Sequence, residues 1–216
     1  MEPGTARLIL VRHGEVDANR NFHYLGHRDD ELNLIGLDQA ESVANALAEL
    51  PLDGIVTSPL RRARATAERV AAAAGIPVET DERLIELDFG TWEGRSREEV
   101  ILDGSDSRAV VEEWEKDPSR PTPGGESLDS LQQRVVDCAD EIARLRSSAT
   151  VVVVSHMGPI KVLLCAALRL SLRSAGRIFL DPATISVVDW GPASVVRLVN
   201  SHAHLGFAGA RWLRGR

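Results

Sequence analysis

Apolar residues dominate the stretch "ARLILVR" (residues 6–12), which lies between Gly4 and Gly14. A short apolar run between glycines predicts a strand. From Gly36 the rhythm changes. Ala40, Val43, Ala44 and Leu47 recur at steps of three and four, which predicts a helix that Pro51 closes. "GIVTS" (54–58) predicts a second strand. Ser58 followed by Pro59 predicts an N-cap with proline at the first helical position, and a helix running through "LRRARATAERVAAAA" to Gly75. "IPVET" (76–80) predicts a third, shorter strand. Between residues 84 and 126 the periodicity breaks. Trp92 and Trp114 stand there among Gly, Pro and acids, and the segment predicts a long excursion with short helices. Leu128, Leu131, Val135, Cys138, Ile142 and Leu145 then mark a strongly amphipathic helix. The four consecutive valines of "TVVVVSH" (150–156) predict a strand buried on both faces, as in a parallel sheet between helix layers. "PIKVLLCAALRL" (159–170) predicts another helix. "TISVVDW" and "SVVRLV", joined by "GPA", predict a closing hairpin. After Asn200 the chain reads as a tail ending "ARWLRGR".

Strands alternating with helices predict an α/β fold, a three-layer α/β/α sandwich with a mostly parallel central sheet. With no linker, repeat or low-complexity tract, residues 1–216 read as one domain, with a core of about 6–200 and a tail of 201–216. The hydrophobic fraction of 44% and charged fraction of 26% suit a soluble globular protein. Against 32 Asp and Glu stand 25 Lys and Arg, a net charge of −7. That balance argues against nucleic-acid binding through a basic surface, so an anionic substrate needs a locally basic pocket. No apolar run approaches the ~20 residues of a membrane span. The opening "MEPGTAR" lacks the apolar stretch of a signal peptide, and two cysteines are too few for a disulfide framework. The expected compartment is the cytoplasm. A homodimer is compatible with the sequence but no motif demands it.

Three predicted strands deliver polar residues at their ends: Arg12-His13-Gly14 after "LILV", Ser58 with Arg61-Arg62 after "GIVT", and Ser155-His156 after "TVVVV". In open α/β sheets, ligands bind beyond the carboxyl ends of the strands. If these strands are parallel neighbours, two histidines and two arginines meet in one crevice. Arginine suits phosphate, neutral imidazole is a nucleophile, and helix N-termini after Ser58 and His156 offer N–H donors to an anion. The combination points to phosphoryl transfer through a phosphohistidine. Glu86 in "RLIELDFGTWEG", among Leu84, Ile85, Leu87 and Phe89, is the candidate proton donor, since apolar neighbours favour a protonated carboxyl.

"LVRHGEVDAN", "TSPLRRARATA", "RLIELDFGTWEG", "PGGES" and "VVSHMGPIK" occur in order and together resemble the histidine phosphatase superfamily, with its phosphoglycerate mutase-like fold. The resemblance covers roughly residues 6–200, and five ordered motifs make it specific. It implies that His13 is phosphorylated, that Arg12, Arg62 and His156 hold the phosphoryl group, that Asn19 assists, and that Glu86 is the acid. Arg62 rather than Arg61 matches the arginine that precedes alanine in the family's pair. Two positions depart from the pattern. Val16 stands where Thr or Ser is usual, which removes a hydroxyl contact, and Met157 stands where Gly is usual, which keeps a backbone N–H for the phosphate while its side chain is expected to narrow the pocket. "HGEVDAN" and "LDFGTWEG" resemble the phosphatase branch, and the C-terminal third is similar to α-ribazole-phosphatase-like domains.

The expected activity is hydrolysis of a small phosphorylated metabolite, with no metal and no cofactor. The alternatives are a phosphoglycerate mutase and, in another class, a non-catalytic module that binds a phospho-ligand. Selectivity is expected from residues 20–33 and 95–126. Cys138 and Arg144 have the spacing of cysteine phosphatases, but "CADEIAR" places acids in an amphipathic helix where a glycine-rich anion loop is needed, so Cys138 reads as core. The pairs His23/His27 and His202/His204 lack a matching set of metal ligands and read as surface or pocket-rim residues. Trp92 reads as packing beneath the loop, and Glu15 as a polar loop residue.

Overall fold

The computed structural model describes residues 2–104, 107–117, 120–207 and 210. Among the described residues six strands form one sheet: β1 (Ala6–Arg12), β2 (Gly54–Thr57), β3 (Val78–Thr80), β4 (Thr150–Ser155), β5 (Ile185–Trp190) and β6 (Val195–Ser201). Their order across the sheet is β3-β2-β4-β1-β5-β6. The four strands from β3 to β1 run parallel, while β5 is antiparallel to both β1 and β6. The helices are α1 (Asp17–Arg20), α2 (Leu34–Leu47), α3 (Arg61–Ala74), α4 (Arg97–Ile101), α5 (Ser107–Lys116), α6 (Leu128–Leu145) and α7 (Met157–Ala167).

The valine run of β4 explains the layering. Successive side chains of a strand point to opposite faces. Val151 and Val153 accordingly join a core with α6 and α7, and Val152 and Val154 join a second core with α2 and α3. β1 divides in the same way, Leu8 and Leu10 to the first core, Ile9 and Val11 to the second. Covered on both faces and flanked by β1 and β2, β4 is the rigid centre of the sheet. The sheet is thus mostly parallel and sandwiched between helices.

Four details depart from the sequence expectation. α2 begins at Leu34 because the Asn33 side chain accepts the Gly36 N–H at 2.8 Å. Leu34 and Ile35 are exposed, so apolar periodicity could not reveal that first turn. α3 begins at Arg61, with Leu60 as its N-cap; the Ser58 hydroxyl accepts the Leu60 N–H only at 3.4 Å and makes its short bond, 2.7 Å, to His156. Leu145 ends α6 off its apolar stripe and is 62% exposed. The segment after Asn200 is no loose tail: Ser201 ends β6, His202 is buried against Asp181 at 2.9 Å, and the His204 Nε2–H donates to the Ala183 carbonyl at 2.8 Å. Of "ARWLRGR", only Ala210 lies among the described residues, and it is buried. Among those residues no helix is long and apolar enough to cross a membrane.

Candidate active site

The sheet topology places the polar strand ends side by side. In the parallel register of β1 and β4, Arg12 lies opposite Ser155, and the His13 N–H donates to the Ser155 carbonyl at 3.0 Å. On the other side of β4 the Ser58 N–H donates to the Val154 carbonyl at 3.0 Å. His13 and His156 thus leave neighbouring strands at the same level, with ring centroids 5.0 Å apart and planes inclined at 59°.

Hydrogen bonding fixes both tautomers. The Nδ1 of His13 lies 2.7 Å from the Gly14 carbonyl, which can only accept, so Nδ1 carries the proton and Nε2 keeps the free lone pair. His156 is reversed. The Arg62 Nε–H donates to its Nδ1 at 3.3 Å, leaving the proton on Nε2, which donates to the Ser58 hydroxyl at 2.7 Å. Both rings are buried. Burial, followed by the positive charges of Arg62 and Arg12, pushes His13 well below the ordinary histidine pKa, against the opposing pull of the Gly14 carbonyl. Burial, then Arg62, His13 and Arg12, lowers His156 in the same direction. Both imidazoles are therefore neutral at pH 7.

Arg62 is fully buried, and burial pulls its pKa down to about 10 against the charges of Glu86, Asp30, Asp29 and Glu93. It stays a cation at pH 7. Its Nη1 donates to the Arg28 carbonyl and its Nη2 to the Gly26 carbonyl at 2.8 Å. Arg12 is also buried, and its Nη1 donates to the Leu180 carbonyl and lies 4.0 Å from the Met157 sulfur. The Met157 side chain thus packs on the Arg12 guanidinium. Asn19 is buried on α1 and accepts the Val16 N–H at 3.1 Å. Val16 packs with Ala18 and Leu25, so the residue without a hydroxyl serves as a small apolar plug under this turn.

Glu86 is buried at the site, but its apolar sequence neighbours do not enclose the carboxyl. Leu84 and Leu87 point into the main core. Oε1 instead accepts the Leu87 N–H at 2.8 Å and the Gly158 N–H at 3.0 Å, the latter in the first turn of α7. The other expected anion-binding helix start is occupied in the same manner, since the Arg61 N–H donates to Asp29 Oδ1 at 2.6 Å. The Arg61 side chain is exposed and paired with Glu31, apart from the cluster.

The remaining candidates are placed as follows. Cys138 is buried on α6, and burial with the Asp81 charge pushes its thiol up to about 12. Trp92 packs with Tyr24, Phe89 and Trp114. His23 forms a bridge with Ser96. Three contributors to the site escape a reading of motifs alone. Ser58 looks like a helix cap but orients His156. Thr66, one turn after Arg62, accepts the Gly14 N–H at 3.1 Å and donates to the Arg62 carbonyl at 2.8 Å. His27 donates from Nε2 to the Glu86 carbonyl at 2.9 Å. The sequence put Ser58 at a strand end and His27 at the surface or pocket rim without these partners, and for Thr66 the signal was its spacing from Arg62, that of the same helix face. Among the described residues no group of three or more His, Cys, Asp or Glu is arranged to hold a metal ion.

The chain as a whole is also similar to known proteins. A family model described as the histidine phosphatase superfamily (branch 1) matches residues 8–201. Phosphoserine phosphatase 1 of Hydrogenobacter thermophilus is 37% identical over 202 residues, 93% of this chain and 94% of that protein. A bifunctional protein of Mycobacterium tuberculosis is 38% identical over 202 residues, 92% of this chain but 55% of that protein. The chain thus spans about half the length of the mycobacterial relatives it matches. Among solved structures, a mycobacterial glucosyl-3-phosphoglycerate phosphatase in complex with VO3 gives a TM-score of 0.82 at 27% identity, covering 90% of this chain and 99% of that one.

Proposed function

The chain belongs to the histidine phosphatase superfamily, and from that membership together with the geometry of the strand ends we propose that it is a metal-independent phosphomonoesterase working through phosphorylated His13. The observation that carries this reading is the His13 tautomer. A neutral imidazole whose Nδ1–H is tied to its own following carbonyl presents Nε2 as the nucleophile.

In the first half-reaction Nε2 bonds to phosphorus as the bond to the leaving oxygen breaks. Glu86 gives its proton to that oxygen. In the second, a water oxygen bonds to phosphorus, the Nε2–phosphorus bond breaks, and Glu86 takes the proton from the water, which yields inorganic phosphate. Arg62 and Arg12 offset the charge of the transferring group, His156 donates to it when its Nε2–H turns from Ser58, and Asn19 supports the turn that carries His13. The Met157 N–H at the head of α7 is a further donor. These cations do the electrostatic work that a divalent metal does elsewhere.

The substrate is a small phosphorylated metabolite. Its walls come from the two segments expected to set selectivity, which meet in the fold: the Tyr24 N–H donates to the Arg95 carbonyl at 2.9 Å and the Gly94 N–H to the Tyr24 carbonyl at 2.7 Å. The relatives named for phosphoserine, α-ribazole phosphate and glucosyl-3-phosphoglycerate phosphatases fit this class.

The test is a rapid quench of enzyme with p-nitrophenyl phosphate into alkali, followed by mapping of the phosphate. An alkali-stable, acid-labile phosphoryl group on His13 is expected, and His13→Ala is expected to fold, to carry none and to lose nearly all turnover. Turnover by His13→Ala near that of the wild type would refute the proposal.

A further inference from the structure

Residues 83–86 lead to the acid without belonging to a strand, yet all four of their carbonyls are taken by side chains. The Ser155 hydroxyl donates to the Leu84 carbonyl at 2.7 Å. The Arg134 guanidinium, reaching over from α6, takes the other three. Its Nη1 donates to the carbonyls of Arg83 and Ile85, both at 2.7 Å, and its Nη2 to that of Glu86 at 3.0 Å. The same guanidinium is gripped by Glu126, with Nε to Oε1 and Nη2 to Oε2 both at 2.8 Å. Glu126 in turn donates its backbone N–H to the Asp88 carbonyl at 2.9 Å.

We infer that Arg134 and Glu126 are positioning residues for the proton donor: they hold the backbone of Glu86 so that its carboxyl stays at the start of α7, two residues beyond His156. This deepens the proposed function and rests on Glu86 being the acid. The physical case is one of fork geometry. A planar guanidinium offers five N–H groups in a fixed plane, and here that plane meets three carbonyls and a bidentate carboxylate at once. Lysine, a point donor on a flexible stem, reproduces the charge but not this pattern. The pair is mostly buried, with side-chain exposures of 20% and 17%, so solvent screens it little. Neither residue reaches the histidines by any hydrogen bond among the described residues. The Arg134 charge also helps to lower the pKa of His156, an effect that Arg134→Lys preserves, so what the fork geometry adds passes through the placement of Glu86; a misplaced acid hurts in proportion to how much the leaving group needs its proton.

That dependence supplies a readout that a purely structural role would not move. Rates of enzyme phosphorylation are measured by rapid quench with p-nitrophenyl phosphate, whose leaving group needs little protonation, and with glycerol 2-phosphate, whose leaving alkoxide needs it fully. Glu86→Gln is expected to lose roughly 10²–10⁴-fold with glycerol 2-phosphate and far less with p-nitrophenyl phosphate. Arg134→Met is expected to show the same selectivity at a smaller size, roughly 10–10²-fold against a few-fold, since it displaces the acid without removing it. Arg134→Lys should recover part of the loss. Arg134→Met added to Glu86→Gln should cost little more, because the two act through one group. Glu126→Gln, which loosens the guanidinium while keeping shape, gives the selective loss even if Arg134→Met fails to fold, a point that thermal melts decide. Equal losses on both substrates for Arg134→Met and Glu126→Gln, or full multiplication in the double variant, would overturn the inference while a selective Glu86→Gln leaves the acid in place. An unselective Glu86→Gln would remove the acid assignment itself, and this inference with it.

Discussion

At the scale of the residue, the site depends on keeping two histidines neutral beside two arginines. The direction of the shift fixes a pH signature. The native pKa values of His13 and His156 lie well below the ordinary 6.5, so between that value and the native ones the unfolded chain binds more protons than the folded one. Stability therefore rises with pH across this window. The contribution is undiminished above about pH 6.5 and declines as the pH falls below it. Proton NMR should show the imidazole signals of His13 and His156 unmoved from pH 8 to pH 6.5, with assignment by His13→Gln and His156→Gln. Thermal melts of the wild type should fall from pH 7 to pH 5.5, and His13→Gln should fall less steeply. A His13 signal that titrates at the ordinary histidine pKa would contradict the neutral-nucleophile assignment.

At the scale of the element, the turn after β1 works because the start of α2 touches it backbone to backbone. A Cβ on Gly36 would stand 2.1 Å from the Glu15 carbonyl oxygen, and one on Gly14 would stand 2.4 Å from the Gly36 carbonyl oxygen. Those atoms are main chain and cannot swing aside, so Gly36→Ala must push α2 away from the segment carrying His13. The expected result is a stability loss of about 1–3 kcal/mol, the range for overpacking, together with a clear drop in kcat per folded molecule. Gly75 is the contrasting case. It caps α3 at φ +70° with open space around the missing Cβ, so Gly75→Ala meets only the left-handed backbone penalty, about 1–2 kcal/mol. It lies at the far end of α3 from Arg62, and its kcat should match that of the wild type. Denaturant melts and steady-state kinetics on the two variants check both halves. If the variants lose kcat equally, the Gly36 contact does not position the site.

At the scale of the whole molecule, strand composition and helix periodicity made most of the architecture legible. Four valines in β4 can only suit a strand covered on both faces, and the spacing of Leu128, Leu131, Val135 and Cys138 can only suit a buried helix face. The meeting of His13, Arg62 and His156 was legible too, because parallel strands carry their ends to one edge. What could not be read were contacts set by distance in space rather than in sequence: Ser58 turned to His156, Asp29 and Glu86 filling the two helix starts, and Arg134 holding the Glu86 segment. Exposed first-turn residues such as Leu34 hid the start of α2 for a related reason, since a periodicity argument sees only the buried face. The balance of charge leads to a last prediction. The chain carries a net charge of −7, yet at the strand ends the guanidinium groups of Arg12 and Arg62 are buried beside neutral imidazoles. Two fixed cations match the charge of a phosphoryl dianion, and in a dry site each interaction is far stronger than in water. A divalent ion would have to displace them or find carboxylates, and the nearby carboxylate Glu86 is already bound to amide N–H groups. Hydrolysis of p-nitrophenyl phosphate should thus continue undiminished in excess EDTA after dialysis against chelator. Replacing either arginine with Met should lower kcat/KM by roughly 10²-fold or more, as loss of a charged transition-state contact does, and added Mg²⁺ should not restore it. Activity that is lost to EDTA and returns only with a particular divalent ion would show that the arginines do not suffice.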